Sequence, residues 1–317
     1  MRLESIEKYL PAFQKLKQGG TAYGKAPHKP VLLLTLIELI EKGWVTENRF
    51  PISPELVATF RENFALLVKT AHKDVFTQPF YYLKSEGYWF LKPKDGVAID
   101  TYIRSVQVLS DRLDYGYFAG DLFSLLTQPS ARLQLKTVLL DRYFPDTKAV
   151  FLSVRNNGRS YLDELEKHLL NEKDASYTKP VLQADDEETR FIRGGLFKKL
   201  VPKVYDYTCA ISGMKVIAAD SSSLVEACHI KPISAKGDDI VTNGIALCPT
   251  LHTAFDRGMI GIDERLRVVV SPSLAENPQS PYNLRQFHGR PLRLPFGEMH
   301  YPARENFRWH LEMRFRA

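Results

Sequence analysis

The sequence predicts an α+β protein with two domains and a linker between them. Three observations support this prediction. Residues 1–150 are dominated by apolar repeats of helical period, residues 190–317 contain a short strand–loop–strand–helix unit, and a polar, acidic stretch separates the two regions. With 317 residues, the chain has enough material for more than one hydrophobic core.

The N-terminal domain, residues 1–150, is predicted to be helical with one aromatic hairpin. Leu3 to Lys17 carries apolar residues at helical spacing, and Pro30 stands in the first turn of a strongly apolar helix that runs from Lys29 through Glu41. Helices followed by a hairpin predict a winged-helix-like domain. The other predicted elements are a short β-segment at Trp44–Ile52, a helix at Glu55–Val68, the β-hairpin at Pro79–Leu91, and helical structure with breaks at Gly116, Gly120 and Pro129 from Tyr102 to Phe144.

Residues 151–189 are predicted to contain a helix and an acidic linker. The helix starts at Tyr161, and residues 171–188 are polar and end in four acidic residues. Residues 190–317 form the second predicted domain, which opens with a basic helix through Val201. The candidate phosphate contacts on that helix are Arg190, Arg193, Lys198 and Lys199.

The charge of the chain lies in its second half. Residues 1–189 hold 25 Lys and Arg against 25 Asp and Glu, whereas residues 190–317 hold 18 against 12, so the whole net charge of +6 lies there. A basic domain favours a phosphate polymer as partner, although a solvated surface has the same composition. The sequence lacks an apolar run of membrane-spanning length and a signal-peptide pattern, which predicts a cytoplasmic protein without a membrane partner.

The strand–loop–strand–helix unit brings three polar side chains together: His229, Asn243 and His252. Hydrolysis of a phosphodiester needs a base that activates water and a cation that stabilises the phosphate charge. A histidine titrates near neutrality and suits the base. The amide of Asn243 does not titrate and suits a role in holding either the imidazole or the loop. The elements of this unit are a strand at Ser223–Ile230, a strand at Ile245–Leu247 and a helix at Thr250–Phe255.

The motifs EACHIKP, NGIALCP and LHTAFDRG in this unit resemble those of the HNH nucleases of bacterial restriction systems, which have a ββα-metal fold. The resemblance implies that His229 is the general base, that Asn243 orients it and that His252 binds metal. Asp256 lies four residues after His252, on the same helix face, and is a second candidate ligand. The implied cofactor is Mg²⁺ or Mn²⁺, and the implied reaction is endonucleolytic cleavage of DNA.

The sequence departs from this family at Cys228, where many members carry Asp or His as a second metal ligand. Thiolate is a poor ligand for Mg²⁺, which prefers oxygen. The missing ligand is therefore Asp256 or Glu226, with a turn-forming role as the alternative for Asp256. A structural zinc held by Cys209, Cys228 and Cys248 is the other use of these thiols. We expect buried free thiols instead.

The N-terminal motifs HKPVLLL, PFYYLKSEGYW and DRYFP resemble those of the sulfur-binding domain, a module that recognises phosphorothioate DNA. The resemblance implies that Lys25 and His28 contact the DNA backbone and that Pro79 forms part of an apolar cup for sulfur. Such a cup selects sulfur through the cost of desolvating oxygen. Gln78 replaces the aromatic residue of the family and is suited to read a base edge. The alternatives are a helix-capping role for His28 and a strand-starting role for Pro79.

Three hypotheses follow for the function. The first is a metal-dependent restriction or defence endonuclease whose N-terminal domain selects modified, for example phosphorothioate, double-stranded DNA. The second is an HNH nuclease directed to a sequence by an ordinary winged-helix domain. The third is a non-catalytic DNA-binding protein, against which the intact His-Asn-His set argues. The sequence leaves the oligomeric state open, a homodimer included.

Overall fold

The structure, a computed structural model, describes residues 3–156, 161–170, 186–219 and 222–316. The chain divides into two compact units. The first contains Met1–Asp163 and Thr178–Ile192, and the second contains Glu164–Tyr177 and Arg193–Ala317. Helices and two-stranded antiparallel pairs build both units, so the predicted α+β class is confirmed. Across the described ranges, the helices lack the combination of length and apolar character that a transmembrane segment needs.

The first unit is mainly helical. Two later helices, α9 (Tyr161–Leu169) and α10 (Glu187–Val204), contain residues of both units. The elements before them are α1 (Leu3–Gln14), β1 (Gly20–Thr21), β2 (Gly24–Lys25), α2 (His28–Glu41), α3 (Pro54–Leu67), α4 (Thr77–Tyr82), β3 (Trp89–Pro93), α5 (Val106–Arg112), β4 (Leu113–Phe118), α6 (Gly120–Leu126), α7 (Pro129–Tyr143) and α8 (Lys148–Asn156).

Helix α2 is the centre of the first unit. Its apolar run is buried on all sides because α3, α4 and α7 pack around it. The buried carboxylate of Glu38 on this helix faces Arg155 of α8 at 3.4 Å and accepts a hydrogen bond from Asn63 of α3 at 3.0 Å. A buried charge is tolerated only with such partners, so these contacts connect three helices. The predicted helices at the positions of α1, α2 and α3 are confirmed.

The predicted hairpin at Pro79–Leu91 is wrong. Its first half is the helix α4 followed by a 3₁₀ turn at Leu83–Glu86, since Pro79 is tolerated in a first helical turn. Its second half, β3, pairs instead with β4, whose residues were predicted to be helical. This pairing depends on Gly116, because a Cβ atom there would lie 2.2 Å from the ring of Trp89.

The predicted β-segment at Trp44–Ile52 is also wrong. Within it, only Phe50 pairs with a strand, through an isolated bridge to Gly116 of β4. The Phe50 amide donates to the Gly116 carbonyl at 2.8 Å, and the reverse bond is 3.0 Å long. Burial of the Phe50 ring, rather than a strand ladder, therefore holds this segment.

Residues 186–192 are attached to the first unit through Arg61 of α3. The buried guanidinium of Arg61 makes a bidentate contact with Asp186 at 2.8 and 2.9 Å and a contact with Asp74 at 2.8 Å. The carboxylate of Glu188 accepts the backbone N–H of Phe76. Residues 171–185 of the predicted acidic linker lie outside the described residues, and its last two residues begin α10.

Besides its parts of α9 and α10, the described part of the second unit contains two strand pairs and two α-helices: β5 (Glu226–His229) with β6 (Gly244–Leu247), β7 (Ile260–Ile262) with β8 (Val268–Val270), α11 (Pro249–Asp256) and α12 (Arg304–Met313). Helix α11 packs on both pairs, and α12 packs on β7. On α12, the buried ring of His310 stacks on Phe255 of α11 at a centroid distance of 3.7 Å. The predicted strand–strand–helix order is confirmed, with a first strand shorter than expected.

Candidate active site

The last residue of β5, His229, is held against α10. In the β5–β6 pair His229 lies opposite Gly244. The imidazole of His229 stacks on the ring of Phe197 with a centroid distance of 3.9 Å and an interplanar angle of 9°. A Cβ atom at position 244 would lie 2.4 Å from Val201 of the same helix, so glycine permits this close approach. The ring plane of His229 is therefore fixed by packing.

The same imidazole has a carboxylate partner that the sequence analysis missed. His229 Nε2 lies 2.9 Å from Oδ1 of Asp239, whose side chain is only 12% exposed. Asp239 belongs to the loop between β5 and β6. The signal in the sequence is the pair of acidic residues after Gly237, in the loop of the predicted strand–loop–strand–helix unit.

Asn243 is buried and holds the loop rather than the imidazole. Its side-chain oxygen accepts from the Lys231 amide at 3.0 Å, and its side-chain nitrogen donates to the carbonyls of Lys231 and Asp238, each at 2.9 Å. Gly237 lies in the same turn, where a Cβ atom would be 1.9 Å from the Lys231 carbonyl. The amide thus positions Asp239 by fixing the backbone of the residue before it.

The second predicted histidine, His252 of α11, lies in a cluster of potential metal ligands. The ligand atoms of Cys228, His252 and Asp256 all lie within 4.8 Å of one another. His252 Nε2 is 3.5 Å from Asp256, as expected for residues four apart on a helix, and Cys228 Sγ is 3.8 Å from the same carboxylate. His252 Nδ1 contacts Glu226 at 2.9 Å. These side chains could therefore hold a divalent ion.

The three thiols lie at two separate places. Burial and the neighbouring Asp256 carboxylate raise the pKa of the Cys228 thiol well above its ordinary value. Cys209 and Cys248 instead share a hydrogen bond, which lowers the pKa of the Cys209 thiol and raises that of Cys248. All three are buried and unpaired by disulfides. Among the described residues, they do not form one cluster of three ligands.

Arg193 lies near the same loop. It precedes Phe197 by one turn of α10 and therefore shares its helix face. The pKa of His168 on α9 is lowered by burial first and then by the charge of Arg193, with Asp238 opposing. Arg193 is half-buried, whereas Lys198 and Lys199 are exposed on the following turn. The remaining predicted phosphate contact, Arg190, is exposed and belongs to the first unit.

The first unit has a groove of about 600 Å³ where its two predicted DNA-contacting segments meet. His28, Gln78 and Pro79 all line it, and Lys25 is exposed on β2 beside the lining residue Ala26. Several other residues that line the groove were not predicted from the sequence. They are Lys17, Gln18, Lys29, Tyr82 and Ser85.

Several polar groups of the groove are already paired within the first unit. His28 Nε2 lies 2.7 Å from the Lys73 carbonyl, and burial lowers the pKa of His28. The buried ammonium of Lys29 pairs with Glu86. Gln78 and Tyr82, one turn apart on α4, remain exposed in the groove. Tyr82 was not found from the sequence because its exposure in the groove depends on α4, a helix where a strand was predicted.

Part of the second unit matches a known family. Residues 209–263 match the model of an HNH endonuclease family. Among solved structures, the modification-dependent TagI restriction endonuclease is 25% identical over 37% of this chain and 36% of its own, with a TM-score of 0.29. The aligned part thus spans about a third of the TagI chain. A search of curated proteins found no match.

Two further structures are similar to this chain. The sulfur-binding domain of ScoMcrA, complexed with phosphorothioated DNA, is 23% identical over 43% of this chain and 86% of its own, with a TM-score of 0.33. The type IV phosphorothioation-dependent restriction endonuclease ScoMcrA is 12% identical over 78% of this chain and 94% of its own, with a TM-score of 0.30.

Proposed function

We propose that this chain, which carries an HNH endonuclease domain at residues 209–263, is a metal-dependent endonuclease of the restriction or defence type that hydrolyses phosphodiester bonds in double-stranded DNA. One observation supports the proposal most directly. A histidine held by a carboxylate and an aromatic ring belongs to the same strand–strand–helix unit as a cluster of metal-ligating side chains. Such a unit supplies both a base and a cation site for phosphodiester hydrolysis.

In this proposal His229 is the general base and Asp239 is its partner. A carboxylate can only accept, so the contact at 2.9 Å assigns the imidazole proton to Nε2 and leaves Nδ1 to take the proton from water. The Phe197 ring keeps the imidazole from rotating. Asn243 then acts indirectly, through the loop that carries Asp239.

A divalent ion held by His252, Asp256 and Cys228 would supply positive charge to the phosphate and the leaving oxygen. The donor set fits a divalent cation, with Glu226 behind His252 as its hydrogen-bond partner. Mg²⁺ or Mn²⁺ was expected from the sequence. The sulfur atom of Cys228 fits Mg²⁺ poorly, since this ion prefers oxygen ligands.

Contacts with the DNA backbone are assigned to the basic residues of α10. Arg193 lies on the helix face that holds His229, and Lys198 and Lys199 extend the positive charge along the helix. Their contribution to affinity is electrostatic and independent of sequence. We therefore expect binding by the second unit to weaken steeply with salt.

The test of the catalytic assignment is the substitution His229→Ala in the full chain. Cleavage of plasmid DNA should fall by ~10²–10⁴, the range for loss of a general base, while DNA affinity in a gel-shift titration stays the same. His300→Ala, a histidine elsewhere in the second unit that contacts the Leu170 carbonyl, is the matched control and should cleave normally. Residual activity of His229→Ala within about tenfold of the wild type would exclude His229 as the base.

We further propose that the groove of the first unit selects modified DNA. The first 189 residues have no net charge, so selective binding there has to come from a local contact rather than bulk charge. Pro79 and the Tyr82 ring give the groove apolar surface suited to a sulfur atom, which is less strongly hydrated than oxygen. Gln78 supplies an amide that suits a base edge, the alternative ligand. A phosphorothioate is the favoured mark.

The full-length His229→Ala protein allows binding to be measured without cleavage. It should be titrated against matched duplexes carrying phosphorothioate, 5-methylcytosine, 5-hydroxymethylcytosine or no mark. Preference for one phosphorothioate stereoisomer, lost in Pro79→Ala or Lys25→Ala, would support reading of sulfur. Preference for a modified cytosine, lost in Gln78→Ala, would support reading of a base. Equal affinity for all four duplexes would contradict modification sensing and favour a sequence-directed nuclease.

A further inference from the structure

We propose that Cys228 is a thiolate ligand of the divalent ion in the second unit, so that this site takes a thiophilic dication of the Zn²⁺ class in preference to Mg²⁺. The proposal concerns the site on which the proposed function rests, but it is tested by metal binding and not by cleavage. Neither the family match nor the neighbouring structures assign an ion to this site.

The position of the Cys228 sulfur supports ligation. Strand β5 places Glu226 and Cys228 on one face, because side chains alternate along a strand. On that face the Cys228 Sγ lies 3.8 Å from an Asp256 carboxylate oxygen, within the same cluster of donor atoms as the His252 nitrogen. A cysteine that served only as a small apolar residue would pack against carbon, whereas this one faces a carboxylate and an imidazole.

Glu226 fixes the tautomer of His252 that can bind the same ion. Its carboxylate contacts His252 Nδ1 at 2.9 Å and can only accept, so the proton of the imidazole belongs on Nδ1. His252 Nε2, on the Asp256 side at 3.5 Å, then offers its lone pair to the cluster. A carboxylate behind a metal-binding histidine is the usual arrangement at metal sites, where it fixes the tautomer and raises ligand basicity.

The chemistry of the donor set decides the class of ion. One sulfur, one nitrogen and one carboxylate oxygen match the ligands of Zn²⁺, and three protein ligands leave a fourth position for water or substrate. Mg²⁺ requires an octahedral set of oxygens and does not exchange water for sulfur. The affinity order of divalent metals for mixed nitrogen, oxygen and sulfur sites also places Zn²⁺ and Co²⁺ above Mn²⁺.

Co²⁺ is the direct probe, since a thiolate on Co²⁺ gives a charge-transfer band in the near ultraviolet. One equivalent added to the full-length apoprotein should produce this band, and a millimolar excess of Mg²⁺ should not remove it. Cys228→Ser should abolish the band. Glu226→Gln should weaken Co²⁺ affinity by about 10–100-fold, but the band should still appear once Co²⁺ is bound. Cys248→Ser is the matched control and should leave the band unchanged.

Several outcomes would overturn the proposal: no band in the wild type, a band that survives in Cys228→Ser, or one that disappears only in Cys248→Ser. If Cys228→Ser does not fold, X-ray absorption of the zinc-loaded wild type answers the question. One sulfur at ~2.3 Å supports ligation, and a shell of nitrogen and oxygen alone contradicts it. His229→Ala should bind Co²⁺ like the wild type. Co²⁺ binding without any DNA cleavage would keep the metal assignment and reject the nuclease function.

Discussion

The site of the second unit and the groove of the first use their polar side chains differently. In the second unit, polar groups between positions 226 and 256 are paired with one another, as in His229 with Asp239 and His252 with Glu226. In the groove, three polar side chains pair with backbone carbonyls instead: Lys17 with that of Ser85, Gln18 with that of Ala26 and His28 with that of Lys73. This difference supports the proposals of a catalytic site in the second unit and of a binding surface in the first.

The largest effect that would sharpen this contrast is expected at Asp239. Asp239→Asn should lower the rate constant of cleavage by about 10–100-fold with little change in KM, since the carboxylate acts through His229 and not on the substrate. Nitrogen-15 NMR of histidine side chains should show that the tautomer of His229 changes, a signal that a purely structural role would not produce.

Asp238→Asn is the matched control for that experiment. Asp238 is exposed and contributes its backbone carbonyl to Asn243, so the neutral side chain should leave the rate and the His229 tautomer nearly unchanged. Equal losses in the two variants would show that the loop matters only as backbone. Asp239 would then be a structural residue of the loop and not the partner of His229 in the reaction.

The second effect concerns the stability of the site and compares two glycines. Gly244→Ala should destabilise the second unit by about 1–3 kcal/mol, because the new methyl group would meet Val201 at 2.4 Å. Gly194→Ala, on α10 with no atom within 4 Å of its Cβ position, should instead stabilise by roughly 0.5–1 kcal/mol. Denaturant unfolding of both variants provides the measurement. A neutral Gly244→Ala would mean that α10 can move away from β6.

The same contrast explains which parts of the molecule were predictable from the sequence. The β5–β6–α11 unit was predictable because His229, Asn243 and His252 lie in short sequence motifs. The two strands and the helix that carry these motifs follow one another along the chain. Asp239 was missed because a loop carboxylate has no periodicity, and its role depends on a turn closed by Asn243. In the first unit, β3 pairs with a strand that follows after α5, so its partner could not be predicted from local pattern.

The helix α4, which lines the groove, also could not be predicted from local sequence pattern. The run of aromatic residues after Pro79 has high strand propensity, but tertiary packing buries Phe80 and exposes Tyr82, as a helix requires. Gln78 and Pro79 line one groove with His28, although the secondary structure predicted for the segment that carries them was wrong. Tyr82 enters the groove only because of the helical turn.

Two substitutions in the groove distinguish a residue that contacts DNA from one that stabilises the fold. His28→Ala should lower the stability of the first unit by about 1–2 kcal/mol, because it leaves the Lys73 carbonyl without its partner. Gln78→Ala, an exposed position, should leave stability within about 0.5 kcal/mol of the wild type and act only on DNA affinity. Thermal unfolding and duplex titration of both variants would test this. A loss of affinity without loss of stability in His28→Ala would make His28 a DNA contact after all.

The smallest expected effect is a pH dependence in the first unit, at Glu188. Burial raises the pKa of this carboxyl to about 7, although the Phe76 amide and Arg61 favour its charged form. A raised pKa means that the folded state binds the proton more tightly than the unfolded chain. This contribution to stability is therefore complete below the ordinary carboxyl pKa and is lost as the pH rises through about 7.

Hydrogen exchange at the Phe76 amide reports this directly, since that amide donates to Glu188. Its free energy of opening should fall by on the order of 1 kcal/mol between pH 5 and pH 8. In Glu188→Gln the fall should vanish, because the amide keeps an acceptor for Phe76 but cannot ionise. An equal fall in both proteins would assign the dependence to a group other than Glu188, and not to His28, whose lowered pKa makes stability rise with pH. A confirmed difference would show that ionisation in the first unit tunes the attachment of residues 186–192, whereas the paired groups of the second unit serve the reaction.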